Sequence, residues 1–318
     1  MAVYTELTQS EIADFLTAYD LPALKAAEGI RSGVENTNYL LVLEDGSKHI
    51  LTLFEKRTEA KDLPFFAGLM EHLATKSIPA PMPVRGRDGQ AIRTLKNKPA
   101  LIVTFLNGKD AAELTPSHLA QLGEYTAKLH IAASDYPQQR ANGLAFAGWH
   151  ALLAKIEARA DEITPGLADE MRKELAFLES TWPKNLPQGV IHADLFPDNV
   201  FFDAQGKLSG IIDFYFACND LFAYEIAICL NAWCFDAQWE FCPEKAKAFM
   251  AAYEKVRPLS ESERTALQVL ARGAALRFLL TRTHDRLFPV EGALVTSKDP
   301  MEYLTKLRFH RNVEYYNI

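Results

Sequence analysis

Val190-Ile-His192-Ala-Asp194-Leu-Phe-Pro-Asp198-Asn199-Val-Phe-Phe-Asp203-Ala-Gln-Gly206-Lys-Leu-Ser-Gly-Ile-Ile-Asp213-Phe214 is the stretch on which the reading of this chain turns. Val190-Ile191 is a short apolar run feeding a polar loop. Val200 to Phe202 and Leu208 to Ile212 read as two strands joined by the turn Asp203-Ala-Gln-Gly206. A hairpin closed on that turn brings Asn199 and Asp213 to one end, and Asp194 lies in the loop that feeds it. Two carboxylates and an amide then converge, a donor set suited to a magnesium ion and a phosphate.

Phosphoryl transfer needs such groups. One carboxylate orients the attacking hydroxyl and accepts its proton, while others hold magnesium against phosphate oxygens. The kinase pattern H-x-D-x-x-x-x-N is met at His192, Asp194 and Asn199, and the later Asp-Phe-Gly aspartate is met at Asp213, with Tyr215 in place of the glycine. Asp and Asn also favour plain turns. The spacing, the flanking strands and the second aspartate together favour chemistry: Asp194 as base, Asn199 and Asp213 as metal ligands. His192 is expected to hold the loop by hydrogen bonds. Asp198 and Asp203 are read as loop and turn residues.

Outward from this centre the chain divides. Thr8 with Glu11 predicts a capped helix over 8–19. Strands are expected at 39–43 and 49–54 around the hairpin signal Glu44-Asp-Gly-Ser47, and again near 91–95 and 100–105. Between them, 62–75 has helical spacing. Asn107-Gly108 is a plausible hinge, and beyond it most of the chain has helical spacing, with 189–213 as a strand-rich island. The expected fold is α+β and bilobal: a small antiparallel sheet lobe over 1–106 that holds the nucleotide, and a larger helical catalytic and substrate lobe over 107–318. In the sheet lobe, the turn Gly29-Ile-Arg-Ser32-Gly33-Val-Glu-Asn36-Thr37-Asn38 can lay backbone N–H groups over phosphates, with Ser32, Asn36 and Thr37 as side-chain donors. No G-x-x-x-x-G-K-[ST] occurs, which excludes a P-loop kinase.

These residues resemble the aminoglycoside phosphotransferase/choline kinase superfamily, small-molecule relatives of protein kinases, over nearly the whole chain. A narrower resemblance is to its bacterial homoserine kinases, on Ser32-Gly-Val-Glu-Asn-Thr-Asn-Tyr39, Leu51-Thr-Leu-Phe-Glu55, Asp62-Leu-Pro-Phe-Phe66, His192-Ala-Asp-Leu-Phe196, Ile212-Asp-Phe-Tyr215 and Asn231-Ala-Trp-Cys234. The resemblance implies a protein-kinase-like fold, ATP and Mg2+ as cofactors, and phosphorylation of the hydroxyl of L-homoserine in threonine biosynthesis. It places Asp194 as catalytic base and Asn199 and Asp213 as metal ligands. At the strand position where kinases carry their nucleotide lysine stands Thr52; Lys48 and Lys56 share its side of the strand. Glu71 and Asp62 are candidates for the helix acid that pairs with such a lysine. For the substrate, the helical lobe offers Arg277, Arg282, Asp220, Glu225, Asn231 and Trp233. Tyr215 and Asp220, next to the Asp213 turn, are the preferred pair. A kinase for another small alcohol (an aminoglycoside, choline or methylthioribose) and a non-catalytic nucleotide-binding protein stay open as alternatives.

Composition narrows the field. The 318 residues carry a net charge of −7, which gives no footprint for nucleic acid. The longest apolar run, Leu221 to Phe235, is broken by Glu225 and Asn231 and is too short to span a bilayer. Met1-Ala-Val-Tyr-Thr-Glu6 shows no basic region followed by an apolar stretch, so no signal peptide is expected, and the four cysteines lack the C-x2-C spacing of a zinc site. They are expected to be buried free thiols in a cytoplasmic protein. Nothing in the sequence sets an oligomeric state.

Overall fold

Thr8 opens the first helix, α1 (Gln9–Leu16). Its hydroxyl accepts from the Glu11 N–H at 3.2 Å, and the Glu11 carboxylate accepts from the Thr8 N–H at 2.9 Å, the reciprocal capping box those residues predict. The structure, a computed structural model, describes residues 4–30, 36–55, 58–289 and 298–313.

Strands β1 (Leu24–Ile30), β2 (Thr37–Leu43), β3 (Lys48–Leu53), β4 (Ile92–Leu95) and β5 (Lys98–Thr104) form one antiparallel sheet in the order β1-β2-β3-β5-β4. Lys96 and Asn97, with φ of 51° and 60°, make the two-residue turn between β4 and β5, a geometry that matches strand twist. Alternation along the strands sorts the side chains. Tyr39, Leu41, Leu43, Leu51, Leu53, Ala100 and Ile102 share one face and pack with Ile12, Leu16 and Tyr19. Asn38, Leu40, Ile50 and Thr52 point to the other. Helix α2 (Leu63–Thr75) buries Leu63, Phe66, Leu69, Met70 and Leu73, the residues whose spacing predicts it.

The chain forms two units. The first runs to Asn107, and it also takes in Ser209–Tyr215. The sequence reading cut the chain once, near 106; the structure returns the Asp213 segment to the sheet unit. Two hydrogen bonds hold it there: the Ile211 N–H donates to the Pro79 carbonyl at 2.8 Å, and the Ser209 side-chain hydroxyl donates to the Asn107 carbonyl at 2.7 Å.

The second unit is largely helical: α3 (Pro116–Ala132), α4 (Phe146–Ile156), α5 (Leu167–Thr181), α6 (Phe222–Trp233), α7 (Pro243–Val256), α8 (Glu261–Leu287) and α9 (Pro300–His310). Thr115 caps α3 and Pro116 is its first residue. Ala223 through Asn231 of α6 are all buried, the mark of a helix at the centre of a core. The strand-rich island gives this unit β6 (Gln188–Ile191) and β7 (Val200–Phe202), while β8 (Leu208–Ile211) belongs from Ser209 onward to the first unit. Asp203 Oδ1 shapes the turn after β7, accepting from the N–H groups of Gln205 and Lys207, both at 2.9 Å. Sequence reading missed β9 (Cys218–Leu221), which pairs antiparallel with β6 and sets Gly189 opposite Asp220. Four residues running into a helix carry no alternation of their own. The four cysteines are free, three buried and Cys242 half-buried. Among the described residues no helix is long and apolar enough to cross a membrane.

Candidate active site

The catalytic candidates occupy the segment between β6 and β7. His192 is fully buried, and its Nδ1 accepts from the Asp194 N–H at 3.3 Å. Asp194 is partly exposed, with a side-chain exposure of 20%. Asn199 closes a short turn, its N–H donating to the Phe196 carbonyl at 2.9 Å. The Asn199 amide nitrogen donates to the Asp194 carbonyl at 2.8 Å and to Asp194 Oδ2 at 3.2 Å. The amide oxygen is thereby turned away from Asp194, the orientation a hard cation requires of an Asn ligand.

Main-chain contacts fix this segment from below. Glu225, in the first turn of α6, accepts from the His192 N–H and, at 3.0 Å, from the Ala193 N–H. Arg277 of α8 donates to the Ala193 carbonyl, and its Nη2 stands 3.8 Å from Asp194 Oδ1. Trp233 Nε1 donates to the Leu195 carbonyl at 2.7 Å. Burial pushes Glu225 up to about 7 against the hydrogen bonds and the Arg277 charge that favour its ionised form. Glu225, Arg277 and Trp233 were among the substrate candidates, but all three are buried and turned toward the catalytic segment. Their sequence separations from it, 32, 84 and 38 residues, hid this from sequence reasoning. Asn231 and Arg282 are likewise internal. Asn231 donates to the Ala227 and Ala271 carbonyls at 2.9 and 3.0 Å, and Arg282 pairs with Glu302 at 2.5 Å.

Asp220 is half-buried in β9 and accepts from the Asn142 side chain at 2.7 Å and from the Leu221 N–H at 2.7 Å. Burial raises its carboxyl against those bonds. Its Oδ2 thus holds Asn142, a contact the sequence could not show. Cys218 beside it is pushed up to about 12 by burial and then by the Asp220 charge, so it is an inert thiol.

In the sheet unit, Asp213 is exposed with a φ of 63°, and the Tyr215 ring packs edge-on against Phe54 and Phe66, with centroids 4.9 and 5.8 Å away. Burial, the Asp213 charge adding to it, raises the Tyr215 phenol, so it stays neutral. Ser32, Gly33 and Lys56 lie outside the described residues. Thr52 is buried and donates to Asn38 Oδ1 at 2.7 Å. Thr37 is fully buried and donates to Glu55 Oε1 at 2.7 Å, while Asn36 Oδ1 accepts from the Glu55 N–H at 3.4 Å. The Thr37 and Thr52 hydroxyls therefore serve the sheet. Lys48 lies over the Phe105 ring, and Glu71 is bound by Arg85 at 2.5 Å. Sequence reasoning missed Lys98, which pairs with the nearly buried Glu55. Strand parity puts Lys98 with Ala100 and Ile102, on the α1 face, away from Thr52.

Among the described residues no group of three or more His, Cys, Asp or Glu could hold a metal ion. Magnesium in phosphoryl transfer is held by one or two protein groups plus the nucleotide's own phosphates, so a two-residue set suits it better than a protein cage.

A kinase motif on a sheet unit followed by a helical unit defines a class, and comparison gives it a family: the chain belongs to the phosphotransferase enzyme family, whose model matches residues 26–259. It is an ATP-dependent phosphotransferase acting on a hydroxyl. Within that class its relatives are specific. It is 54% identical to the homoserine kinase of Rhodospirillum rubrum, covering 98% of this chain and 97% of that one. It is 55% identical to the homoserine kinase of Rhodopseudomonas palustris, covering 98% and 95%. Solved structures share the fold: a spectinomycin phosphotransferase in complex with ADP and spectinomycin (TM-score 0.74, 13% identity, 98% of this chain and 100% of that one) and an amicoumacin kinase in complex with AMP-PNP and Ca2+ (TM-score 0.72, 15% identity, 98% and 96%).

Proposed function

We propose that this enzyme transfers the γ-phosphoryl group of ATP to the side-chain hydroxyl of L-homoserine, with Mg2+, in the cytoplasm and in the service of threonine biosynthesis. The observation that carries the reading is identity of 54% over nearly the full length to a homoserine kinase. Fold likeness alone carries no substrate, so the reading rests on that identity and on the chemistry of the site.

Asp194 is the base in this reading. It orients the substrate hydroxyl and takes its proton as the oxygen attacks the γ-phosphorus, and the bond from that phosphorus to the β,γ-bridging oxygen of ATP breaks. Asn199 and Asp213 would hold the magnesium ion, which neutralises phosphate charge when bound. His192, bonded to the Asp194 N–H, keeps the base on its loop. Ser32 and Gly33, which lie outside the described residues, are the candidates for the phosphates. The sheet face with Leu40 and Ile50, apolar and half-buried, offers the nucleotide a surface.

A coupled ADP-release assay over homoserine, serine, threonine, choline, methylthioribose and an aminoglycoside tests the proposal. Homoserine is expected to give the highest kcat/KM. Turnover of choline or an aminoglycoside with none of homoserine would refute it.

A further inference from the structure

Ala193 is the residue before the base, and its φ of 63° lies in the left-handed region. A side chain with a Cβ disfavours that region, so the surrounding structure must impose it. Two buried side chains do so, one on each side of the residue. Glu225 collects the N–H groups of His192 and Ala193 on a single oxygen, Oε2, with the Ala193 contact at 3.0 Å. Arg277 takes the Ala193 carbonyl with Nη1.

The guanidinium does a second thing. Its Nη2 stands 3.8 Å from Asp194 Oδ1, while the Asn199 amide approaches Oδ2 at 3.2 Å. The two oxygens of the base are thus distinguished, one turned to the arginine and the other to the candidate metal ligand. Arg277 is itself immobilised. It is 2% exposed, and the Phe278 ring lies 4.4 Å from its guanidinium carbon. An ammonium could not do the same work, because a planar fork reaches a carbonyl and a carboxylate on successive residues at once.

We propose that Arg277, backed by Glu225, is a positioning residue that fixes Asp194 in its attacking geometry through the Ala193 peptide. Neither touches nucleotide or substrate in this role. The inference rests on the reading of Asp194 as base, and the test keeps the two apart.

The experiment measures kcat and both KM values for R277K, E225Q, D194N and the double variant D194N/R277K, with thermal unfolding to establish that each is folded. For R277K, kcat is expected to fall about 100-fold, the effect of a misplacement near 1 Å, with both KM values within about threefold of the parent. E225Q keeps an acceptor oxygen but puts a neutral amide in place of the carboxyl group beside Arg277, and a fall of about tenfold in kcat is expected by the same reasoning. If Arg277 acts only through the base, adding R277K to D194N costs nothing further. Multiplying losses in the double variant overturn the proposal. So does a parent-like kcat in folded R277K, or a rise in the homoserine KM that accounts for the whole loss, which would make Arg277 a substrate grip. Should R277K not fold, E225Q alone and in the D194N background carries the same readings. A D194N enzyme with near-parent turnover removes the base reading itself, whereas an inactive D194N beside a parent-like R277K removes only the positioning role.

Discussion

Asp194 is the residue on which most depends. Its carboxylate is partly exposed, its main chain is bound on both sides, and Asn199 bonds to it twice. Replacing it with Asn keeps the shape and removes the proton acceptor. Turnover is expected to fall roughly 100- to 10,000-fold, the usual worth of general-base help, while ATP binding by calorimetry stays close to the parent value. Near-normal turnover would sink the assignment. The residues of this centre were legible because kinase chemistry sets short fixed spacings between His192, Asp194 and Asn199. Their supports were not. Glu225 and Arg277 are brought in by helices far along the chain, and a buried acid or arginine looks in sequence like any other until its partners are seen.

At the scale of elements, close packing of helices leaves the sharpest mark at Gly123 of α3. A Cβ there would lie 2.2 Å from the Phe249 carbonyl oxygen of α7, a backbone atom that no rotamer change can move. Gly to Ala in an exposed helix interior stabilises by about 1 kcal/mol. Gly123→Ala is expected to do the reverse, destabilising by about 1–3 kcal/mol as an overpacked core does, read from the urea midpoint. An unchanged or raised midpoint would contradict the α3–α7 approach. Sequence pattern predicted α1 with its capping box, the helical spacing of α2 and the largely helical chain beyond Asn107. It did not reveal β9, whose four residues owe their extended form to β6. Nor did it reveal what anchors the N-terminal segment. There the Tyr4 and Thr5 N–H groups donate to the Thr37 hydroxyl at 3.0 and 3.2 Å, and the Leu7 N–H to the Tyr39 hydroxyl at 2.8 Å. Those contacts join residues more than thirty positions apart, beyond the reach of local pattern.

For the molecule as a whole, pH acts through histidines sealed inside it. Burial holds His130 and His310 down to about 3, with Arg257 reinforcing the first and Lys306 and then Arg272 the second. The ordinary value is 6.5, so between 6.5 and 3 the unfolded chain binds protons that the folded chain refuses. The stability these groups contribute is complete above 6.5 and is lost as the pH falls, at about 1.4 kcal/mol per pH unit for each. His310→Gln is expected to flatten the pH dependence of unfolding free energy between pH 6.5 and 4 by about that slope, whatever else titrates in both proteins. Parallel curves for parent and variant would refute the buried neutral state. The lobed plan was legible because the catalytic motif brings a fold with it. The return of Ser209–Tyr215 to the sheet unit was not, since its bonds end on the main-chain carbonyls of Pro79 and Asn107, acceptors that any sequence offers.

The cysteines carry a practical consequence. Cys218, Cys229 and Cys234 are sealed in the core, while Cys242, at the start of α7, is half-buried with its thiol turned to the Glu240 carbonyl. A maleimide dye offered to the native enzyme therefore has one address, and the other three sulfurs react only when the helical unit opens. The natural chain already contains a site for a single fluorophore and a chemical clock for its own unfolding, without any engineering.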